Sequence, residues 1–242
     1  MARTLVTMPD GTNYLCGALL SDDNAKLNKS NESGEAFYTV GLSLAPANTS
    51  GFNVCAKATN GCKAVCLYGQ GRGRFADVAR GRVARTRLFF ENREAFKVQL
   101  FAELHKAQRK ADKMGVTLAV RLNVLSDLPW ERIFPDLFTT FPRVQFYDYT
   151  KVPNRVVPSN YHLTFSRSET NELDALWQLK AGRNVAVVFR SKDIPATWHG
   201  YDVVNGDVTD LRFLDRSGVV VGLYAKGTAK ADASGFVTEN WS

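Results

Sequence analysis

Residues 117–123 read Thr117-Leu-Ala-Val-Arg-Leu-Asn123, a short apolar run that ends on a polar side chain, and the same arrangement recurs along the chain. It returns as Val144–Tyr147 before Asp148, Tyr161–Phe165 before Ser166, Asn184–Phe189 before Arg190, Tyr201–Val204 before Asn205 and Gly218–Tyr224 before Lys226. With Ala36–Leu44 upstream, these runs make seven candidate strands. Helical spacers lie between several of them. The longest is Asp77–Met114, where Val83, Leu88, Phe89, Phe96, Leu100, Phe101 and Leu104 recur at three- and four-residue intervals and Gly115 follows the end. Leu128–Phe138 and Thr170–Ala181 are shorter, the latter with Leu173, Leu176, Trp177 and Leu179 as an apolar face. Strand-helix-strand order predicts parallel strands, and their number predicts an α/β protein built as a (β/α) barrel or partial barrel. The last two connections are too short for full helices, which favours the incomplete form.

The 242 residues are 45% hydrophobic and 23% charged, which excludes disordered, collagen-like and coiled-coil classes. No repeat and no Pro/Ser/Gly-rich linker divides them, so a single domain over residues 1–242 is expected. Within it, residues 1–35 form an N-terminal segment that is polar and loop-like from residue 18. Residues 45–76 form a cysteine- and glycine-rich loop inserted after the first strand. Apolar runs such as Val219–Val221 fall far short of the roughly 18 residues that span a bilayer. Met1-Ala-Arg-Thr-Leu5 lacks the apolar centre of a signal peptide. A cytoplasmic protein without a membrane partner is expected.

Three of the four cysteines form Cys55-x6-Cys62-x3-Cys66. Thiolates are soft ligands for zinc or iron, and Asn60-Gly61 supplies a turn that lets three of them converge on one metal centre. Cys16 is the nearest candidate for a fourth donor, which would close a zinc site; inert buried thiols are the competing reading. The glycine run Gly69–Gly73 matches neither a Walker motif nor a dinucleotide fingerprint.

In a parallel barrel the carboxyl ends of all strands meet at one mouth, so polar residues remote in sequence become neighbours there. Asn123, Ser126 and Asp127 would come from one strand end, and Asp148, Tyr149 and Lys151 from the next. Ser166, Arg167, Ser168 and Glu169 would follow, then Arg190, then Asn205, Asp207 and Asp210, and finally Lys226. Asp127, Asp148, Lys151 and Glu169 are the candidates for proton transfer and catalysis, the others for holding substrate or cofactor. Asp148 and Lys151 rank highest, because Phe146-Tyr-Asp-Tyr-Thr-Lys151 embeds charge in an aromatic strand where an unpaired charge is costly. His105, His162 and His199 share no ligand spacing, and neither a G-x-S-x-G elbow nor an HExxH motif is present.

The net charge is +7, and the stretch Lys57–Lys97 alone holds ten Lys or Arg against Asp77, Glu91 and Glu94. Its core, Arg80, Arg82, Arg85 and Arg87, is a candidate phosphate grip for nucleic acid, with a solvated helix face as the plainer reading.

Asn24-Ala-Lys-Leu27, Gly41-Leu-Ser-Leu-Ala-Pro46, the three cysteines with Tyr68, and Arg121-Leu-Asn-Val-Leu-Ser-Asp-Leu-Pro-Trp-Glu131 together resemble the phage gene product 88 family. The similarity continues through Phe146–Lys151, Thr164–Glu169 and Asp202–Asp215, and it implies a phage-encoded protein working in a host cell. The position of the cysteines after the first strand is also similar to that in radical S-adenosylmethionine enzymes, which hold a four-iron, four-sulfur cluster with one open iron. The usual C-x3-C-x2-C spacing is absent, as is a Gly-Gly-Glu segment after the second strand. The expectation drawn from all this is an enzyme with an iron–sulfur cluster on Cys55, Cys62 and Cys66, with S-adenosylmethionine as cofactor on that resemblance. Its substrate would be a polar small molecule or nucleotide-like compound. The alternatives are a structural-zinc protein that binds nucleic acid or a host factor, and a barrel enzyme that needs no metal.

Overall fold

The computed structural model describes residues 4–22, 27, 31, 36–69, 73 and 75–239. Asn24-Ala-Lys26 and the middle of the Gly69–Gly73 run lie outside them. All seven apolar runs form strands: β4 (Phe37–Leu42), β5 (Thr117–Arg121), β6 (Gln145–Thr150), β7 (Tyr161–Ser166), β8 (Val185–Phe189), β10 (Tyr201–Asn205) and β11 (Val220–Tyr224). Four short strands join them: β1 (Leu5–Thr7), β2 (Asn13–Leu15), β3 (Leu20–Ser21) and β9 (Thr197–Trp198). The helices are α1 (Asn60–Ala64), α2 (Ala76–Glu91), α3 (Arg93–Met114), α4 (Trp130–Ile133), α5 (Asp136–Thr140) and α6 (Glu172–Lys180).

Neither the closed nor the partial parallel barrel expected from the strand count is what the chain builds. The larger sheet is open and mixed, in the order β3-β4-β5-β6-β7-β8-β11-β10-β9. The β4·β5, β5·β6, β7·β8, β8·β11 and β11·β10 pairs are parallel. The reason closure fails is at the edges. Two-residue strands β3 and β9 lie antiparallel to β4 and β10 and terminate the sheet; such short edge strands leave little backbone for further pairing. β9 returns into β10 through His199 (φ 47°) and Gly200 (φ 79°), a two-residue turn whose left-handed backbone suits a hairpin.

The chain divides into two compact units. The first is Met1–Ala56, Tyr68–Phe146 and Pro158–Tyr161; the second is Lys57–Leu67, Tyr147–Val157 and His162–Ser242. In the first, the long helical pattern breaks at Asn92 (φ −141°, ψ 73°), whose side chain caps α3 by accepting the Ala95 N–H at 3.1 Å. Gly115 (φ 69°) ends α3 in the left-handed conformation. The buried faces of α2 and α3 meet α4 in an aromatic core, with Phe89–Phe96 centroids 5.2 Å apart and Phe96–Trp130 centroids 6.2 Å apart. Pro135 separates α4 from α5, so the expected Leu128–Phe138 helix is two short turns.

In the second unit, α6 packs Ala175 and Leu179 against Phe165, Val185, Val187, Phe189 and Val220. The face read from the sequence is partly misassigned: Leu173 is 76% exposed and Trp177 is 64% exposed. A second apolar cluster joins Val65, Ala225, Ala229, Phe236 and Val237, with Cys62 and Val188 packed on it. Because Val188 and Ala225 lie near the carboxyl ends of β8 and β11, the α1 segment is seated on those ends.

Candidate ligand-binding site

Side chains alternate across a strand, and this sorts the second unit into two faces. Phe165 points to α6, so His162, Thr164 and Ser166 share the opposite face of β7. Val188 does the same on β8 and meets the α1 cluster. On this second face the Lys151 Nζ donates to Ser166 Oγ at 3.0 Å and lies 5.6 Å from the centre of the Phe236 ring. Deeper along it, His162 Nε2 is 3.4 Å from Thr164 Oγ1, and the Tyr147 ring meets that of Phe213 edge-on at 5.3 Å. Burial lowers the pKa of His162, and the neighbouring Arg212 guanidinium lowers it further. Arg212, 1% exposed, reaches Asp215 Oδ2 at 3.3 Å. Burial raises the Asp215 pKa against the pull of Arg212, and Asp210 adds to the rise.

Other strand-end residues of this unit are occupied by the fold. Lys226 pairs with Asp207, which also accepts the Tyr224 N–H at 2.9 Å. Arg167 donates to Glu172 Oε2 at 2.7 Å and to the Gly235 and Phe236 carbonyls at 2.5 and 3.1 Å. Burial alone would raise the Glu172 pKa, but Arg167 and His199 together hold it below its ordinary value. Arg190 donates to Glu239 and to the Lys230 and Asp232 carbonyls, which ties down the C-terminal segment. Ser168 is buried with its N–H on Asn171 Oδ1 at 2.6 Å, and Asn205 Oδ1 accepts the Asp207 N–H at 2.9 Å. Asp148 is fully buried, and Tyr149 is half-buried. The Glu169 carboxylate is held by Thr59 Oγ1 and the Gly61 N–H, each at 2.8 Å.

In the first unit, Asn123 is the centre of a buried knot. Its Oδ1 accepts from Ser126 Oγ, Leu128 N and Trp130 Nε1 at 2.8, 3.0 and 3.1 Å, and its Nδ2 donates to the Leu128 carbonyl at 3.0 Å. The Asp127 N–H donates to the Val54 carbonyl at 2.8 Å. These strand-end residues shape a turn. The basic helix is similarly committed. Arg82 donates to the Tyr68 carbonyl, Arg85 to those of Ala18 and Ser43, and Arg87 to Ser50 and Glu91, while Arg80 lies over the Tyr14 ring.

The cysteine motif falls in both units. Cys55, in the first, accepts the Ala47 N–H at 3.4 Å and donates to the Leu125 carbonyl at 3.6 Å. Cys62 and Cys66, in the second, are half-buried and four residues apart on and after α1. Cys16 is fully buried in the first unit, and burial raises its pKa. Among the described residues no three His, Cys, Asp or Glu side chains form a group able to hold a metal ion. The geometry therefore lends no support to the cluster on Cys55, Cys62 and Cys66.

The model of the gene product 88 family matches residues 18–240. The chain belongs to that family. A phage protein is thereby identified, and the resemblance of this gene product 88 protein to radical S-adenosylmethionine enzymes finds no support. Comparisons with curated proteins and with solved structures returned no match. No helix among the described residues is long and apolar enough to cross a membrane.

Sequence reasoning missed Tyr147, His162, Thr164, Arg212 and Asp215 because it looked at strand ends. The signal was present in Tyr161-His-Leu-Thr-Phe-Ser166, where three polar residues alternate with apolar ones and mark a polar sheet face.

Proposed function

We propose that this gene product 88 protein is an enzyme of the host cytoplasm acting on a polar, anionic small molecule of nucleotide-like chemistry. The ligand would lie on the polar face of the second unit, at the carboxyl ends of its parallel strands. Ligand sites of open α/β sheets favour that end. The observation that supports this reading above the others is the Lys151–Ser166 contact at 3.0 Å, a cation and a hydroxyl brought together from two strand ends. A lysine is a compact, mobile positive charge suited to a phosphate or carboxylate. The Ser166 hydroxyl beside it supplies directional hydrogen bonding. Asp148 alternates with Tyr147 onto the opposite face of β6, and Asp207 is paired with Lys226 and the Tyr224 N–H, so Lys151 and Ser166 carry the proposed site. Glu169 is held on α1, and the Asp127 backbone belongs to a turn of the first unit.

A thermal-shift panel of nucleoside phosphates, sugar phosphates and uncharged nucleosides tests the proposal on the full chain. A ligand at a hundred times its Kd stabilises a fold by about 2.7 kcal/mol, which a melting curve resolves. The expected result is a rise in Tm with a phosphorylated compound that disappears in Lys151→Met. A panel without any rise, or a rise retained in Lys151→Met, contradicts it.

A further inference from the structure

Glu169 follows β7, and its two carboxylate oxygens are both engaged by the segment that carries Cys62 and Cys66. Oε2 accepts from Thr59 Oγ1 and Oε1 from the Gly61 N–H, each at 2.8 Å. Thr59 Oγ1 in turn accepts the Cys62 N–H at 3.2 Å, as the N-cap of α1. The hydrogen bonds thus form a relay from Glu169 through Thr59 to the Cys62 backbone. Gly61 is packed to the limit beside it: a Cβ there would stand 2.2 Å from Ser234 Oγ and 2.8 Å from Glu169 Oε1. Ser234 is itself fixed, its Oγ donating to Asp232 Oδ1 at 2.7 Å. Cys62 then packs on Val65, Ala225 and Phe236 at the strand ends.

We infer that Glu169 is a positioning residue: its carboxylate latches α1 down and thereby sets the reactivity of the Cys62 and Cys66 thiols at the border of the ligand site. The border position rests on the function proposed above, whereas the latch stands on its own contacts. A carboxylate that accepts two hydrogen bonds is strongly directional, and a helix of five residues has little stability apart from such tertiary ties. Losing the latch frees the thiols locally without opening the first unit, where Cys16 is buried.

The test is the rate of iodoacetamide alkylation at each cysteine, read by peptide mass spectrometry on the native full chain. Glu169→Ala is expected to speed labelling of Cys62 and Cys66 by about tenfold through local opening, with Cys16 unchanged. Glu169→Gln should restore rates close to wild type, because its amide oxygen accepts from Gly61 and its amide nitrogen can donate to Thr59. Equal rates in wild type and Glu169→Ala overturn the inference, as does a parallel rise at Cys16, which reports general loosening. Should Glu169→Ala fail to fold, Thr59→Val removes half the latch and must still speed Cys62 labelling; no change overturns the inference. A ligand panel without any rise in Tm sinks the proposed function while leaving these rates untouched, so the two failures are distinct.

Discussion

The Lys151 ammonium lies 3.0 Å from the Ser166 hydroxyl and joins the segment after β6 to the last residue of β7. The Phe236 ring lies 5.6 Å from the same ammonium and belongs to the apolar cluster on which Cys62 packs at the neighbouring strand ends.

Asn123 gives a contrasting expectation for a residue of the same sequence pattern. Its amide is 2% exposed and makes four hydrogen bonds. Asn123→Ala strands several buried groups and should cost about 2–4 kcal/mol. Urea unfolding followed by tryptophan fluorescence measures this. A change below roughly 0.5 kcal/mol, the usual range for surface substitutions, is incompatible with the knot.

Gly61→Ala places a methyl group against Ser234 Oγ and Glu169 Oε1. Overpacking of this kind costs about 1–3 kcal/mol. Its midpoint in urea should fall accordingly, whereas Gly115→Ala, with nothing within 4 Å of its Cβ but φ at 69°, reports backbone strain alone.

Acid stability should carry the mark of His162. Its folded pKa lies below the ordinary value of 6.5, through burial first and Arg212 second. The unfolded chain therefore takes up this proton before the folded one. The contribution is complete above pH 6.5 and is lost as pH falls from there toward the folded pKa. His162→Gln should flatten the stability profile in that window. An unchanged slope between wild type and variant, measured by denaturant titration at each pH, would falsify the assignment.

Arg85 should behave as a structural group of the first unit. Its Nε holds the Ala18 carbonyl at 2.7 Å and its Nη1 the Ser43 carbonyl at 3.3 Å. Arg85→Ala is expected to cost about 1–3 kcal/mol and to raise hydrogen exchange around Leu19–Ser21. Exchange identical to wild type would mean that these contacts do not hold the segment.

The strands were legible because apolar runs bounded by polar residues state their own length, and the Gly115 terminus was legible from backbone chemistry. Closure was not. It depended on β3 and β9, each two residues long, which are too short to leave a periodic pattern. The break at Asn92 was hidden because the apolar spacing runs on through it, and only its cap geometry reveals two helices. Leu173 and Trp177 misled for the opposite reason: spacing places residues on one helix face without saying which face the sheet covers. At the site, the sequence pattern places Lys151 and Ser166 at strand ends, and their 3.0 Å contact is visible only in the structure, as are the ties of Arg167, Arg190 and Glu169 to other parts of the fold. A charged side chain at a strand end looks the same in sequence whether its partner is a substrate or a carbonyl from a distant loop.

Equilibrium dialysis of a labelled nucleoside monophosphate, on wild type and on Lys151→Met, bears most directly on the second unit as a binding site. Saturable binding to the wild type is expected, weakened about tenfold or more by loss of the ammonium, a difference of about 1.4 kcal/mol, with Lys110→Met of the first unit as an unaffected control. Binding that is absent from the wild type, or equal in Lys151→Met, would contradict it.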